Sequence, residues 1–405
     1  MMNRIAIALA LLLVAASANA ADNQQAARAE IGKPVQQAQV LVNQTKFAEA
    51  LAKLHEADAV GNKSPYENYV IEETRAAAAL DSSDYPTGAK ALEAVIATGI
   101  LSPSDTTQRI ATLVSVELQL KDYAKVVDLA NRYYKDGGSD PAPRQAMAQA
   151  YYLEGDFPDA AKTFRVLAIA DERAGKQPEE NRLLALANSS FKAGDQAGYI
   201  DALKRLASSH PKPQYWVDLC RAVAQKPSFD RPRRALDLDR LEAVTGAVNT
   251  PEQYVDMAEL ALADGFPGDA KAFLDKGYAE GVLGKGPGAE RQKRLADLAK
   301  RQSDEDMTGL AAQAKEAEAA VNGIASEKLG EAYLSYGRYD EAVSALTSSL
   351  KKGGLKDLES AKLHLGLAYL RVGQQPNAKD ILNSVTGDDG AKDLSRLWLI
   401  HGGVR

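Results

Sequence analysis

The chain has 405 residues, with 49 Lys and Arg against 55 Asp and Glu, and 45% of its residues are apolar. That composition belongs to a folded globular or repeat protein, not a disordered tail. A net charge of −6 with no basic block argues against nucleic-acid binding, because phosphate contacts need clustered Lys and Arg. The single cysteine, Cys220, excludes an intramolecular disulfide framework and any CxxC motif. The four histidines, His55, His210, His364 and His401, are far apart and form no HExxH.

The chain opens with Arg4, then the apolar run Ile5 to Ala16, then Ala18-Asn19-Ala20. The run is shorter than the roughly 20 residues of a spanning helix. The small-x-small triplet fits signal peptidase, so residues 1–20 are expected to be a signal peptide cleaved after Ala20. Ala21 follows the cut, so no cysteine is available there for a bacterial lipid anchor. No later run is apolar and long enough to span a membrane. The expected location is periplasmic, or secreted if the cell is not Gram-negative.

Beyond the signal, a four-residue constellation recurs: a small residue, an apolar or aromatic one at +3, Ala at +12, and Leu or Phe at +16. It appears as Ala38/Leu41/Ala50/Leu54, Ala148/Tyr151/Ala160/Phe164 and Ala258/Ala261/Ala270/Leu274. It returns as Gly330/Tyr333/Ala342/Leu346 and Gly366/Tyr369/Ala378/Leu382. The spacings are multiples of about 36 residues, the period of helical-hairpin arrays. Turns repeat as well: Asp84-Tyr85-Pro86, Asp122-Tyr123, Asp156-Phe157-Pro158 and Gly265-Phe266-Pro267. Proline suits a first helical turn and glycine a helix end, so each unit reads as helix A, a tight turn and helix B. The stretches at 85–101 and 266–283 match directly. The pattern predicts an all-α solenoid of about ten antiparallel hairpins, weakest at 195–245 and 286–322. Small residues at the start and +12 positions let the helices approach, and stacked neighbours bury what one hairpin cannot.

These residues resemble the tetratricopeptide repeat (TPR) family. The clearest match is Leu329-Gly330-x-x-Tyr333 with Gly337, Tyr339, Ala342 and Leu346, followed by Leu365-Gly366-x-x-Tyr369 with Gly373, Ala378 and Leu382. Two clear units therefore occupy 323–385. Residues 21–322 hold degenerate repeats, and 386–405 a C-terminal capping helix. Unit length is about 36 rather than the family's 34, and the family's terminal proline is missing. With the signal peptide, the chain is similar to exported TPR proteins of the bacterial envelope. The resemblance implies a non-enzymatic scaffold or adaptor for protein–protein interaction. Its alternative is a helical subunit of a murein-processing or outer-membrane transport complex, acting beside a separate catalytic or channel protein.

Motifs for chemistry are missing. Gly281 to Gly288 contains Lys285 but lacks the spacing and the Ser/Thr of a phosphate loop. No GxSxG elbow occurs. His210 and Cys220 do not define a dyad, and a buried Cys is the ordinary case. His364 reads as structural or groove-lining. The run Asp230 to Arg234, near Asp237 and Asp239, reads as a solvated face. No catalytic, cofactor-binding or metal-ligating residue is expected. In the TPR family the concave groove is lined by helix A at fixed offsets from the small residue. Carried over, the offsets give Gln145, Gln149, Tyr152, Val255, Glu259, Leu262, Glu327, Glu331, Leu334, Leu363, Leu367 and Arg371. The polar ones, Gln145, Gln149, Tyr152, Glu259, Glu327, Glu331 and Arg371, are the expected groove-binding set. The Lys/Asn/Arg clamp that some family members use for a carboxylate is not matched by Gln and Glu. A neutral or basic extended peptide, or a partner helix, is the expected protein ligand.

Overall fold

The computed structural model describes residues 26–404, so the expected signal peptide, 1–20, lies outside the described residues. Two compact units are present: residues up to Lys176 with Asn188–Gly194, and Gln177–Ala187 with Asp195 onward. No described residue lies in a strand. The first unit holds four hairpins. They are α1 (Ala29–Asn43) with α2 (Phe47–Asp58), and α3 (Pro65–Asp81) with α4 (Tyr85–Ala97). Then come α5 (Pro103–Leu120) with α6 (Tyr123–Lys135), and α7 (Ala142–Glu154) with α8 (Phe157–Arg173). Helix α9 (Glu180–Lys192) carries residues of both units. The second unit continues with α10 (Gln196–Ser209), α11 (Pro213–Ala224), α12 (Arg231–Thr245), α13 (Pro251–Ala263) and α14 (Pro267–Ala279). A 31-residue helix, α15 (Ala289–Ala319), follows. The last five are α16 (Ile324–Ser335), α17 (Tyr339–Lys352), α18 (Leu358–Arg371), α19 (Gln375–Asn383) and α20 (Ala391–His401).

Turn chemistry sets the A-to-B joints. In three of these turns the aspartate before the aromatic is the N-cap of helix B. Asp84 accepts from the Thr87 N–H at 3.2 Å, Asp122 from Lys125 at 3.2 Å, and Asp156 from Asp159 at 3.3 Å. Each cap satisfies an amide that the helix leaves without a partner and contributes about 1 kcal/mol. The residue ahead of the cap is left-handed: Gly155 has φ 86°, and Ser83 and Lys121 hold the same slot at 64° and 62°. Only glycine adopts that conformation without Cβ strain, so Ser83 and Lys121 are held there by the joint.

The spacing constellation is the packing code of the hairpins. Ala38, Ala50 and Leu54 are fully buried, as are Ala148 and Ala160. A Cβ on Gly330 would stand 2.5 Å from Leu346 Cγ, and one on Gly366 would stand 2.3 Å from Leu382 Cδ2. The small residue therefore makes room for the bulky one sixteen positions later. Gly366→Val is expected to cost about 3 kcal/mol, at the upper end for overpacking, in denaturant unfolding followed by helical circular dichroism. A loss under about 0.5 kcal/mol, the range of neutral surface changes, would mean that Leu382 moves aside freely.

Two features modify the expected array. Nine helix pairs are present among the described residues, with α15 and α20 standing single. The weak stretch 286–322 is spent mostly on α15, one long helix where a hairpin would stand. It packs on α13, α14 and α16. The terminal helix α20 buries Leu394, Leu397 and Trp398. It packs on α18 and α19 and also on α10 and α12, so the second unit closes on itself.

Candidate functional site

In the first unit the A helices lie side by side, joined by polar side chains. Gln39 on α1 donates to Thr74 Oγ1 on α3 at 3.4 Å. Arg109 on α5 donates to Glu73 on α3, its Nε at 3.1 Å from Oε2. On α7, Gln145 is half-buried and already has an interaction, whereas Gln149 is exposed. Tyr152 packs edge-on against Phe157 at 5.7 Å between centroids. Lys192 lies 5.0 Å above the Tyr152 ring and 4.7 Å above the Phe157 ring, a cation–π arrangement. Flanking this cluster in sequence, Leu153 is 50% exposed and Phe191 68% exposed. The α7 face thus offers a polar row edged by the exposed Leu153. Gln145, Gln149 and Tyr152 share it.

The A helices of the second unit have a different environment. Glu259 on α13 is exposed and paired with Arg291 on α15 at 2.6 Å. Arg371 ends α18 with its guanidinium 5.6 Å from the Tyr339 ring and 5.9 Å from the Trp398 ring. Glu327 and Glu331 are one turn apart on α16, and Glu331 is committed: its Oε1 lies 2.9 Å from His364 Nδ1. The other ring nitrogen, Nε2, donates to Asp237 on α12 at 2.7 Å. Arg240 bridges Asp237 at 3.2 Å and Asp269 at 2.7 Å. Ser335 Oγ receives the Asp269 N–H at 2.8 Å. Val255, Leu334, Leu363 and Leu367 are buried core residues, not groove residues, because neighbouring helices cover their side of the A helix.

The reading of Asp230 to Arg234 as a solvated face is corrected for Arg234, which is 0% exposed. Its guanidinium reaches Asp389 at 2.6 Å, Asp357 at 3.1 Å and Ser360 Oγ at 2.5 Å. Arg233 adds an ion pair to Asp357 at 2.7 Å, and Lys226 one to Asp393 at 2.6 Å. Phe229 fills the space beside Gly390, where a Cβ would stand 2.5 Å from its ring. These contacts tie α12 and the turn before it to residues 357–393. A signal for them exists in the sequence. Arg234, Asp237 and Arg240 recur every three residues, an alternating charge stripe along one helix face.

Electrostatics follow from this packing. Burial alone would lower the His364 pKa, but carboxylates at both nitrogens outweigh it and push it up to about 10. Burial opposes ionisation of Asp237, yet His364, Arg240 and Arg234 bring its pKa down to about 2. Glu327 goes the other way, up to about 7, through burial and then the nearby Glu331. His364 is hydrogen-bonded to Asp237 through Nε2 and ion-paired with Glu331 at Nδ1, so it ties α12, α16 and α18 together. Cys220 is buried, and burial holds its thiol well above the ordinary value, so it is not a reactive nucleophile. Among the described residues, no three His, Cys, Asp or Glu side chains are placed to hold a metal ion. No described helix is long and apolar enough to cross a membrane.

A tetratricopeptide-repeat family model matches residues 183–213. The segment runs into 195–245, one of the two stretches where the spacing signal is weakest. No curated protein matches the sequence. Among solved structures, the chain is similar to the TPR domain of P58(IPK), at 16% identity over 85% of this chain and 99% of that one, with a TM-score of 0.24. It is also similar to a structure of Naa15/Naa10 bound to HypK-THB, at 15% identity over 90% and 58% of the two chains, with a TM-score of 0.31. A third is the APC/C hetero-tetramer Cut9-Hcn1, at 12% identity over 86% and 72%, with a TM-score of 0.21. The protein is an all-α helical-repeat solenoid that carries a tetratricopeptide repeat at residues 183–213.

Proposed function

We propose that the protein is an exported, non-enzymatic scaffold of the cell envelope that binds a protein partner along the α7 face of its first unit. One observation carries the reading. Gln149, Tyr152 and Leu153 remain accessible there, while Glu331 in the second unit is spent on an ion pair with buried His364. The cation–π cluster of Lys192, Tyr152 and Phe157 supplies a rigid aromatic anchor, the kind of residue that dominates binding energy at interfaces. Gln149 offers amide hydrogen bonds to an extended backbone. The fitting ligand is a neutral extended segment or helix with an apolar side chain for exposed Leu153.

Export is supported by the charge, apolar run and Ala18-Asn19-Ala20 site at the start of the chain. Cell fractionation with N-terminal sequencing is expected to find a chain that begins at Ala21 outside the cytoplasm. A cytoplasmic chain retaining Arg4 would contradict it. For the binding face, Tyr152→Ala is expected to weaken the partner identified by in-compartment crosslinking by about 2 kcal/mol, or roughly thirtyfold. Glu259→Lys should leave affinity unchanged, and both variants should melt as the parent does. Equal affinity of the parent and Tyr152→Ala would remove α7 from the interface.

A further inference from the structure

A trough of about 440 Å³ runs between α15 and α17, with α16 as its floor. The floor is formed by Ser326, Leu329 and Tyr333, and Ala314 and Ala345 stand on opposite walls. Lys352 closes one end by donating to the carbonyls of Ala317 at 2.5 Å and Glu318 at 3.1 Å. That contact also satisfies carbonyls at the C-terminus of α15, which the helix itself leaves open. Just past this end, Val321 is 95% exposed, so the apolar surface has an uncovered neighbour along the chain. Apart from the carboxylates at the rim, the lining side chains on the walls are Ala and Ser, so a fourth helix can approach to the 8–10 Å at which helices pack. Three helices forming two walls and a floor leave the fourth position of a bundle open.

The rim fixes the chemistry of what fits. Its ionisable side chains are Glu318 on one wall and Asp340 and Glu341 on the other. Two of the nearby cations are already engaged. Arg338 pairs with Glu341 at 2.7 Å and stacks 4.6 Å above Tyr333, and Lys352 is held by the α15 carbonyls. Glu318 and Asp340, on facing walls, form no ion pair among the described residues.

We propose that this trough is a second interaction surface, taking an amphipathic helix of a protein partner with short apolar side chains on one face and Lys or Arg along both flanks. The apolar stripe packs between the walls over Leu329, beside the Tyr333 ring that Arg338 already caps, and the flanking cations meet Glu318 and Asp340. The surface lies on different helices from the α7 face, so the inference stands independently of the proposed function.

The test uses the full mature chain and two synthetic helical peptides of about 18 residues. Both carry the same Ala/Leu stripe, one flanked by Lys and the other by Glu. Fluorescence anisotropy is expected to show saturable binding of the basic peptide and none of the acidic one. Ser344→Trp places an indole in the trough from an exposed wall position and should weaken the basic peptide about tenfold or more. Glu318→Lys with Asp340→Lys should weaken it by a similar factor and admit the acidic peptide. Unchanged circular dichroism and melting of both variants separate lost binding from lost folding. Three results overturn the proposal. The basic peptide fails to bind at about 1 mM. It binds Ser344→Trp as well as the parent. Or sedimentation shows a dimer that Ser344→Trp dissolves, which gives the trough to a second copy of the chain.

Discussion

Arg234→Met is expected to destabilise the second unit by about 3 kcal/mol, the low end for breaking a buried ion pair. Methionine fills the aliphatic volume of the arginine stem but offers no donor. Asp389, Asp357 and Ser360 then lose their shared guanidinium. The low end applies because Asp357 and Asp389 keep 19% and 23% exposure, and Arg233 still reaches both. Loss should concentrate at the closure. Hydrogen exchange of α20 and of the start of α18 should speed up in the variant, while α1 to α6 keep parental protection. A loss below about 0.5 kcal/mol, with α20 still protected, would mean that apolar packing of Leu394, Leu397 and Trp398 alone holds the closure.

The second large effect is a stability that declines as pH rises. The His364 pKa is raised from 6.5 to about 10, so its stabilising contribution is complete below pH 6.5 and is lost as pH rises towards 10. Glu327 acts with the same sign. Its folded pKa of about 7 exceeds the ordinary 4.5, so the folded chain keeps a proton that the unfolded chain has released, and stability falls between those values. Asp237 has the opposite sign: its contribution is complete above pH 3.8 and lost as pH falls through about 2. Denaturant unfolding of the parent is therefore expected to give a stabler second unit at pH 5 than at pH 9. His364→Gln should be several kcal/mol less stable than the parent at pH 5, with the gap narrowing by pH 10. A gap that stays constant across this range would show that His364 is neutral in the folded protein.

The hairpins were legible because their code is short-ranged. Gly330 and Leu346, or Gly366 and Leu382, are sixteen residues apart, and the collision a Cβ would make explains the small residue directly. Asp84, Asp122 and Asp156 are visible as the residue before a turn aromatic, although the turn pattern alone does not distinguish capping from simple turn chemistry. Residues 183–213 were harder to read because Tyr199 stands where the constellation needs Ala, four residues after the capping Asp195. The closure of the second unit was not legible. Arg234 meets Asp357 and Asp389 across 123 and 155 residues, and a hydrophobic period reports only on near neighbours. Counting local charges makes Arg231 to Arg234 look solvated, because the acceptors of Arg234 lie at the start of α18 and in the turn before α20. Glu331 was placed by family offsets that assume an open face, and here α12 supplies the carboxylate beyond His364.

The most direct test of the scaffold reading is site-specific photo-crosslinking in the cell. A photoreactive side chain replaces exposed Gln149 on α7 in one strain and exposed Lys90 on the helix-B side, in α4, in another. The expected result is a discrete crosslinked protein from position 149 that Tyr152→Ala diminishes, with none from position 90. Capture from position 90 alone, or equal capture from both, would contradict the assignment of the α7 face as the binding surface.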